Sequence, residues 1–335
     1  MTGQHAAAPR RRLWPKILLI LALVVAAVVA GGGIYVASLA ASFDSGKETF
    51  ESVFPDESTR PSAAPEAADG EAVAQNILLL GSDTRGEAGD DLDAIRGQRA
   101  DTIMVAHIPA DRKHVYVMSI MRDSWVDIAG HGQAKVNAAL SYGGVPLMVQ
   151  TVESIINARI DHVALIDFEG FKGLTDALGG VVVNNPEEFT RGSTHYATGP
   201  IELDGEDALG FVRERYSFTD GDYQRVRNQQ AYIKGVLSSV LSAETLLNPA
   251  KLSSVVGAMA PYLTVDKDLD AGYLAGLALQ MPSLRPDDVT FFTAPTTGTG
   301  TSSDGQSIVV LDAAKLELLR AAFAADDLGA YLQEP

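Results

Sequence analysis

Residues 76–83 read NILLLGSD, residues 102–108 TIMVAHI and residues 115–123 VYVMSIMRD. Each is a short apolar run bounded by polar or turn-forming residues, the pattern of a strand buried on both faces. Charged groups collect where the runs stop. Ser82, Asp83, Thr84 and Arg85 close the first, Arg99 and Asp101 open the second, and Arg122 and Asp123 close the third. In open α/β sheets ligands gather at such strand ends. If the first two strands are antiparallel neighbours, Asp83 and Asp101 meet at one edge. Two carboxylates there suit Mg²⁺, with Mn²⁺ as the alternative, because Mg²⁺ takes one or two carboxylates and keeps room for water and phosphate oxygens. The competing reading makes Asp83 a cap and Asp101 the start of a turn.

Outward from these runs, strands and helices alternate. A helix is expected around Asn137 to Ser141 and an amphipathic one over Pro146 to Asn157. Val163 to Asp167 reads as a strand, followed by a helix through Phe171, Leu174 and Leu178 that Gly179 and Gly180 terminate. Val181 to Asn184 is a further strand, and Glu188 to Leu203 an exposed loop or hairpin. Helical patterns cover Ala231 to Leu241, Ala243 to Leu263 with a break near Pro249, and Leu269 to Met281. Val289 to Thr293 and Ile308 to Leu311 read as strands, with Ala313 to Ala324 as a closing helix. The alternation makes the class α/β. His107 and His162 read as structural, since neither has a second metal-ligating residue at ligand spacing.

Residues 209–230, LGFVRERYSFTDGDYQRVRNQQ, concentrate Arg213, Arg215, Arg225 and Arg227 around Asp220 and Asp222 in a chain of formal net charge -17. Such local guanidinium density asks for an anion. If Phe211 to Tyr216 is a strand, Arg213 and Arg215 share a face. Arg225 and Gln229, four apart, share a face of the helix that follows. Their convergence would form a phosphate site, because the guanidinium fork matches phosphate oxygens. The bland alternative is a surface segment laced with salt bridges.

The N-terminus is basic, with Arg10, Arg11, Arg12 and Lys16 ahead of an uncharged run from Ile17 to Ala41. That run can cross a hydrocarbon core of about 30 Å as a helix. The basic flank places the tail, residues 1–16, in the cytoplasm and the domain outside. A cleavable signal peptide is the competing reading, but the run exceeds a usual signal core. Residues 42–74, rich in Ser, Ala, Pro, Glu and Asp, read as a stalk and flexible linker. Residues 75–335 then form the extracytoplasmic domain. The chain has 335 residues, 46% of them hydrophobic, and no cysteine, so it can bury a large core but forms no disulfide or thiolate site. The acidic balance argues against nucleic acid as a partner.

Taken in order, NILLLGSDTR, RADTIMVAHI, SIMRDSWVDI, KVNAALSYGG, FKGLTDALGGVVV, LDGEDALGFVRER and DYQRVRNQQ resemble the LytR-CpsA-Psr family of cell-envelope proteins. The resemblance covers about Asn76 to Asn248. It implies an α-β-α domain whose mixed central sheet is flanked by helices, with a hydrophobic groove for a polyprenyl chain and one transmembrane helix ahead of it. It also implies an activity: Mg²⁺-dependent transfer of a glycopolymer, such as teichoic acid, from a polyprenyl-pyrophosphate carrier to peptidoglycan through a phosphodiester. Carried over by residue, the metal-associated acids match Asp83 and Asp101. The pyrophosphate-binding residues match Arg99, Arg122, Arg213, Arg215 and Arg225, with Gln229 beside them. Asp222 falls in the matching acidic position, and Asp83, Arg122, Arg215 and Asp222 form the implied catalytic set, with Asp83 as candidate base. Asn228 stands where the family often has Arg. Two other functions use the same residues or none: a polyprenyl-pyrophosphate hydrolase with water as acceptor, and a non-catalytic envelope regulator or scaffold.

Overall fold

The computed structural model describes residues 33–50, 52–63, 72–82 and 100–333. Residues 33–46 are helical (α1) and lead into β1 (Glu48–Thr49). Strands β2 (Gln75–Ser82), β3 (Ala100–Ile108) and β4 (Val115–Ser119) follow, then a hairpin of β5 (Trp125–Ile128) and β6 (Gly132–Lys135). Next come α2 (Ala138–Ile156), β7 (His162–Asp167), α3 (Phe168–Ala177) and β8 (Val181–Asn185). Short strands β9 (Phe189–Arg191), β10 (Thr194–Tyr196) and β11 (Gly199–Leu203) precede α4 (Gly205–Arg213) and α5 (Asp222–Val240). The remainder holds α6 (Pro249–Met259), β12 (Leu263–Val265), α7 (Ala271–Gln280) and β13 (Val289–Thr293). A hairpin of β14 (Thr296–Thr301) and β15 (Ser307–Leu311) leads to α8 (Ala313–Ala324).

Among the described residues, the central sheet runs β1-β12-β7-β2-β3-β4-β13. It is mixed: β2 is parallel to β7 but antiparallel to β3, and β4 is antiparallel to β3 but parallel to β13. Strand alternation divides β2 between two cores. Leu78 and Leu80 point to one side and pack with Met148, Val152 and Ile156 of α2 and Leu319 and Phe323 of α8. Ile77 and Leu79 point to the other side, where Met104, Ala106 and Val117 meet Ile233 and Leu237 of α5. Full burial of a side chain such as Ile156 stabilises by about 1.5–3 kcal/mol, so both faces contribute to holding the sheet between its helices.

Several expectations need correction. The third apolar run stops being a strand at Ser119, because the chain turns where Ser124 donates its amide to Met121. The two helices expected around residues 137–157 are one element with a kink, where Gly144 adopts φ 65°. That conformation favours glycine, and Pro146 just beyond it has no amide to donate. Phe211 to Tyr216 is not a strand. Asp204 accepts from the amide of Asp207 and caps α4, whose Ala208, Phe211 and Val212 form a buried i, i+3, i+4 stripe. Phe211 packs into an aromatic cluster with Phe189 and Tyr196, and this burial overrides the alternating pattern of the arginines.

The described part of the stalk region also packs onto the domain. Phe50 and Val53 enter the main core, and Arg60 pairs with buried Glu153 at 2.7 Å while lying over the Phe54 ring. Of the expected membrane span, residues 17–32 lie outside the described residues, and residues 33–41 belong to α1. Among the described residues no helix is long and apolar enough to cross a membrane.

Candidate active site

A register shift in the central sheet makes the first corner of the site. Gly81 pairs with Thr102 and Ser82 with Ala100, which leaves Asp101 as the extra residue of a β-bulge. A bulge re-aims its side chain, and Asp101 and Thr102 both line the same cavity. The antiparallel pairing that would bring Asp83 toward Asp101 is therefore present, although Asp83 and Arg99 themselves lie outside the described residues.

The cavity has a volume of about 610 Å³ and lies between the Leu79 face of the sheet and helices α3 and α5. Its walls are apolar along most of their length, with Leu79, Met104, Phe171, Leu174, Ile233 and Val236. Its other end is lined by Asp101, Arg122, Arg213, Arg215, Arg225 and Gln229. The arginines thus converge although the local geometry differs from the expected strand. Arg213 is the last residue of α4, and Arg215 follows on a loop. Buried Glu214 shapes that loop: its Oε1 accepts the amides of Arg215, Tyr216 and Ser217 at 3.0, 2.7 and 3.0 Å. Its other oxygen lies 3.3 Å from Arg191 Nε. Arg225 and Gln229 share the cavity face of α5, one turn apart.

Arg227 points elsewhere. It donates to Asp220 and Gln224, both at 2.6 Å, and does not line the cavity. Asn228 is fully buried, donating to the Phe211 carbonyl and accepting from Gln224, so at this departure from the family pattern the side chain ties α5 to α4.

The charged end is a continuous ion-pair network. Arg122 pairs with Asp101 and lies 3.6 Å from Asp123 and 4.0 Å from Asp222. Asp222 lies 3.2 Å from Arg225 and 3.8 Å from Arg215. Lys135, from the β5–β6 hairpin, holds Asp123 at 2.9 Å. Asp123 and Asp222 share a hydrogen bond and split their acidities. Burial, together with the bond to Asp123, raises the Asp222 carboxyl above its ordinary value. Burial would raise Asp123 too, but its bonds to Asp222 and Lys135 and the nearby Arg122 hold it below.

Arg122 Nε and Arg225 Nε are buried without a hydrogen-bond partner. An unmet buried donor costs about 1–3 kcal/mol, which an anion seated between these groups would offset. The donor set also accommodates a divalent ion, since Asp101 presents a carboxylate at the cavity edge beside phosphate-binding guanidiniums. Among the described residues no cluster of three or more metal-ligating side chains exists. His107 and His162 sit far from this chemistry, bonded to Asn76 and Asp326 and to Asp266.

Sequence reasoning did not single out Asp123, Lys135 or Glu214 as site residues. The adjacency of Asp123 to Arg122 was visible, but its partnership with Asp222, 99 positions later, exists only in the folded chain. Lys135 has no flanking signal at all.

An apolar groove that ends in clustered guanidinium groups defines a site for a ligand with an anionic head and a long apolar tail. The chain belongs to the LytR_cpsA_psr family, whose model matches residues 42–324. Among curated relatives, it is 39% identical over 182 residues to the polyisoprenyl-teichoic acid–peptidoglycan teichoic acid transferase TagU of Enterococcus faecalis, covering 54% of this chain. The match spans 58% of that relative's length, under two thirds. A TagU from Bacillus anthracis is 33% identical over 242 residues, covering 72% of this chain and 77% of its own. The crystal structure of B. subtilis TagV shares the fold, with TM-score 0.64 at 23% identity over 76% of this chain and 98% of that one.

Proposed function

We propose that the protein transfers a cell-wall glycopolymer from a polyprenyl-pyrophosphate carrier to peptidoglycan, leaving a phosphodiester between them. The observation that carries this reading is the single cavity with an apolar length and a guanidinium end. A polyprenyl chain is apolar and a pyrophosphate anionic, so one molecule satisfies both halves. The two relatives named as teichoic acid transferases act, by name, on such a polyisoprenyl-linked acidic glycan.

In this reading Arg122, Arg215 and Arg225 bind the pyrophosphate oxygens, with Arg213 and Gln229 beside them. The acceptor hydroxyl forms a bond to the phosphorus next to the glycan, the bond to the polyprenyl phosphate breaks, and the polyprenyl phosphate leaves with the electron pair. The positioned guanidiniums stabilise charge on the equatorial and leaving oxygens, so no covalent protein nucleophile is required. Asp83 is the candidate base for the hydroxyl proton, and Asp101 with Asp83 would hold Mg²⁺, which when bound neutralises phosphate charge. Asp222 lies between Arg215 and Arg225 and spaces them. We further propose that the uncharged run at residues 17–41 anchors the domain on the outer side of the membrane.

Purified full-length protein, given a polyprenyl-pyrophosphate glycan, peptidoglycan oligomers and Mg²⁺, is expected to yield a phosphodiester-linked conjugate by mass spectrometry. Asp101→Ala is expected to lose the Mg²⁺-dependent turnover while keeping its fold by circular dichroism. Free glycan phosphate with no conjugate would instead assign a hydrolase, and no reaction of the lipid at all would overturn both enzymatic readings.

A further inference from the structure

The domain has a defined edge opposite its site. Ser82 and Asp167 end β2 and β7 at the site, so Gln75 and His162, where the two strands begin, mark the far edge. Helix α5 starts at the site with Asp222. Its Lys234 pairs with Asp287 at 3.6 Å, beside the start of β13, and Val240 lies six residues beyond. A helix of 19 residues spans about 28 Å, so its end and the turn at Ala243–Leu246 lie past that edge.

Helix α7 lies across the same edge. Tyr273 donates to Gln75 at 2.8 Å and packs against the His162 ring at a tilt of 50°, and Gln280 at the other end accepts from Arg112 in the β3–β4 turn at 2.9 Å. Its sequence, AGYLAGLALQ, has no charged residue, and none of its side chains is buried. Leu274, Ala275, Ala278 and Leu279 fall on one face. Leu279 is 81% exposed, and Leu247, in the turn ahead of α6, is 82% exposed. Surface leucines occur singly on any protein, but an uncharged helix with a whole apolar face left unburied marks a contact surface.

Helix α1 identifies what that surface meets. Tyr35 donates to the Pro249 carbonyl at 2.9 Å, and the Ala271 amide donates to Asp44 at 3.0 Å. The described end of the uncharged run, residues 33–41, therefore meets the fold on the side where α7 and Leu246–Leu247 lie, and Ile34 and Val36 on α1 are exposed. We propose that this edge rests in the lipid of the outer leaflet, with α7 lying in the interface and Leu246–Leu247 as a second point of insertion. The inference rests on the anchoring of residues 17–41 proposed above. Three contacts, the anchor, α7 and the leucine loop, fix the domain's tilt where one anchor would let it swing. They also direct the guanidinium end away from the bilayer by the length of β2, about 26 Å, toward an acceptor in the wall. Insertion of this kind rests on apolar burial and not on anionic lipid, consistent with an uncharged helix face.

The chain contains no cysteine, so a single introduced thiol is unique. Full-length Leu279→Cys, labelled with the fluorophore NBD and reconstituted in phosphatidylcholine vesicles, is expected to emit to the blue and to lose most of its fluorescence to doxyl-labelled lipid. Leu318→Cys, exposed on α8, is expected to stay water-like and unquenched. Val25→Cys reports the anchor separately. Quenching at Val25 but not at Leu279 would overturn the proposal and keep the anchor, and quenching at neither would overturn both. Quenching at Leu279 without Val25 would keep the lipid-seated edge and remove the anchor. A blue shift at Leu279 that ignores lipid quencher and grows with protein density would assign the face to a second copy of the chain and overturn the proposal.

Discussion

Arg225→Ala separates binding from bracing, because Arg225 serves both. Its side chain is only 5% exposed and lies 3.2 Å from Asp222. Removing one partner of a buried ion pair costs about 3–5 kcal/mol when the remaining charge stays buried. Asp222 can escape by taking up a proton, since its carboxyl is already raised by burial and by the bond to Asp123. Loss of the guanidinium raises it further. A carboxyl raised on folding stabilises most below its unfolded value, and that contribution fades as pH rises through the folded value. The variant's stability loss is therefore expected to be smaller at about pH 5 than at about pH 8, approaching the 3–5 kcal/mol range only at the higher pH. Affinity falls independently: a hydrogen bond to a charged group contributes about 1.5–3 kcal/mol, so a polyprenyl-pyrophosphate analogue should bind about 10- to 150-fold more weakly. Urea unfolding at both pH values, with calorimetric titration of the analogue, measures the two effects. Parent-like binding, or a stability loss that is the same at both pH values, would refute the reasoning.

The half-exposed members of the cluster behave differently. Arg215→Ala should abolish detectable analogue binding and turnover with a shift in stability of only about 0–1 kcal/mol, whereas Arg227→Ala, paired with Asp220 off the cavity, should leave binding near the parent's; titration and thermal melts of the two side by side decide it. Gly235→Ala on α5 should destabilise even though Ala is favoured over Gly in a helix by about 1 kcal/mol, because its methyl would sit 2.6 Å from the Val182 carbonyl; a melting temperature above the parent's would contradict that packing.

Much of this protein was written locally. The runs at residues 76–82, 102–108, 163–167 and 289–293 became strands because apolar residues crowded into short segments can satisfy two buried faces only in a sheet, and α8 covers the expected Ala313–Ala324. The pairing of Arg225 with Gln229 followed from helical spacing alone. What local pattern could not settle were the places where packing outweighs periodicity. Phe211 buries against Phe189 and Tyr196, and that burial turned an apparent strand into α4, yet Arg213 and Arg215 reached the cavity by another route. Strand β6 and strand β14 carry too few apolar residues to announce themselves, and they form because neighbouring strands offer hydrogen bonds. Asp101 turns inward because a one-residue bulge shifts its register, and no composition signals a bulge. The pairing of Asp123 with Asp222, and the alignment of α7 with the end of α1, depend on residues distant in the chain meeting in space. Sequence spacing is a statement about one element at a time; distances between elements are set only when the apolar faces of the sheet, α2, α5 and α8 close on one another.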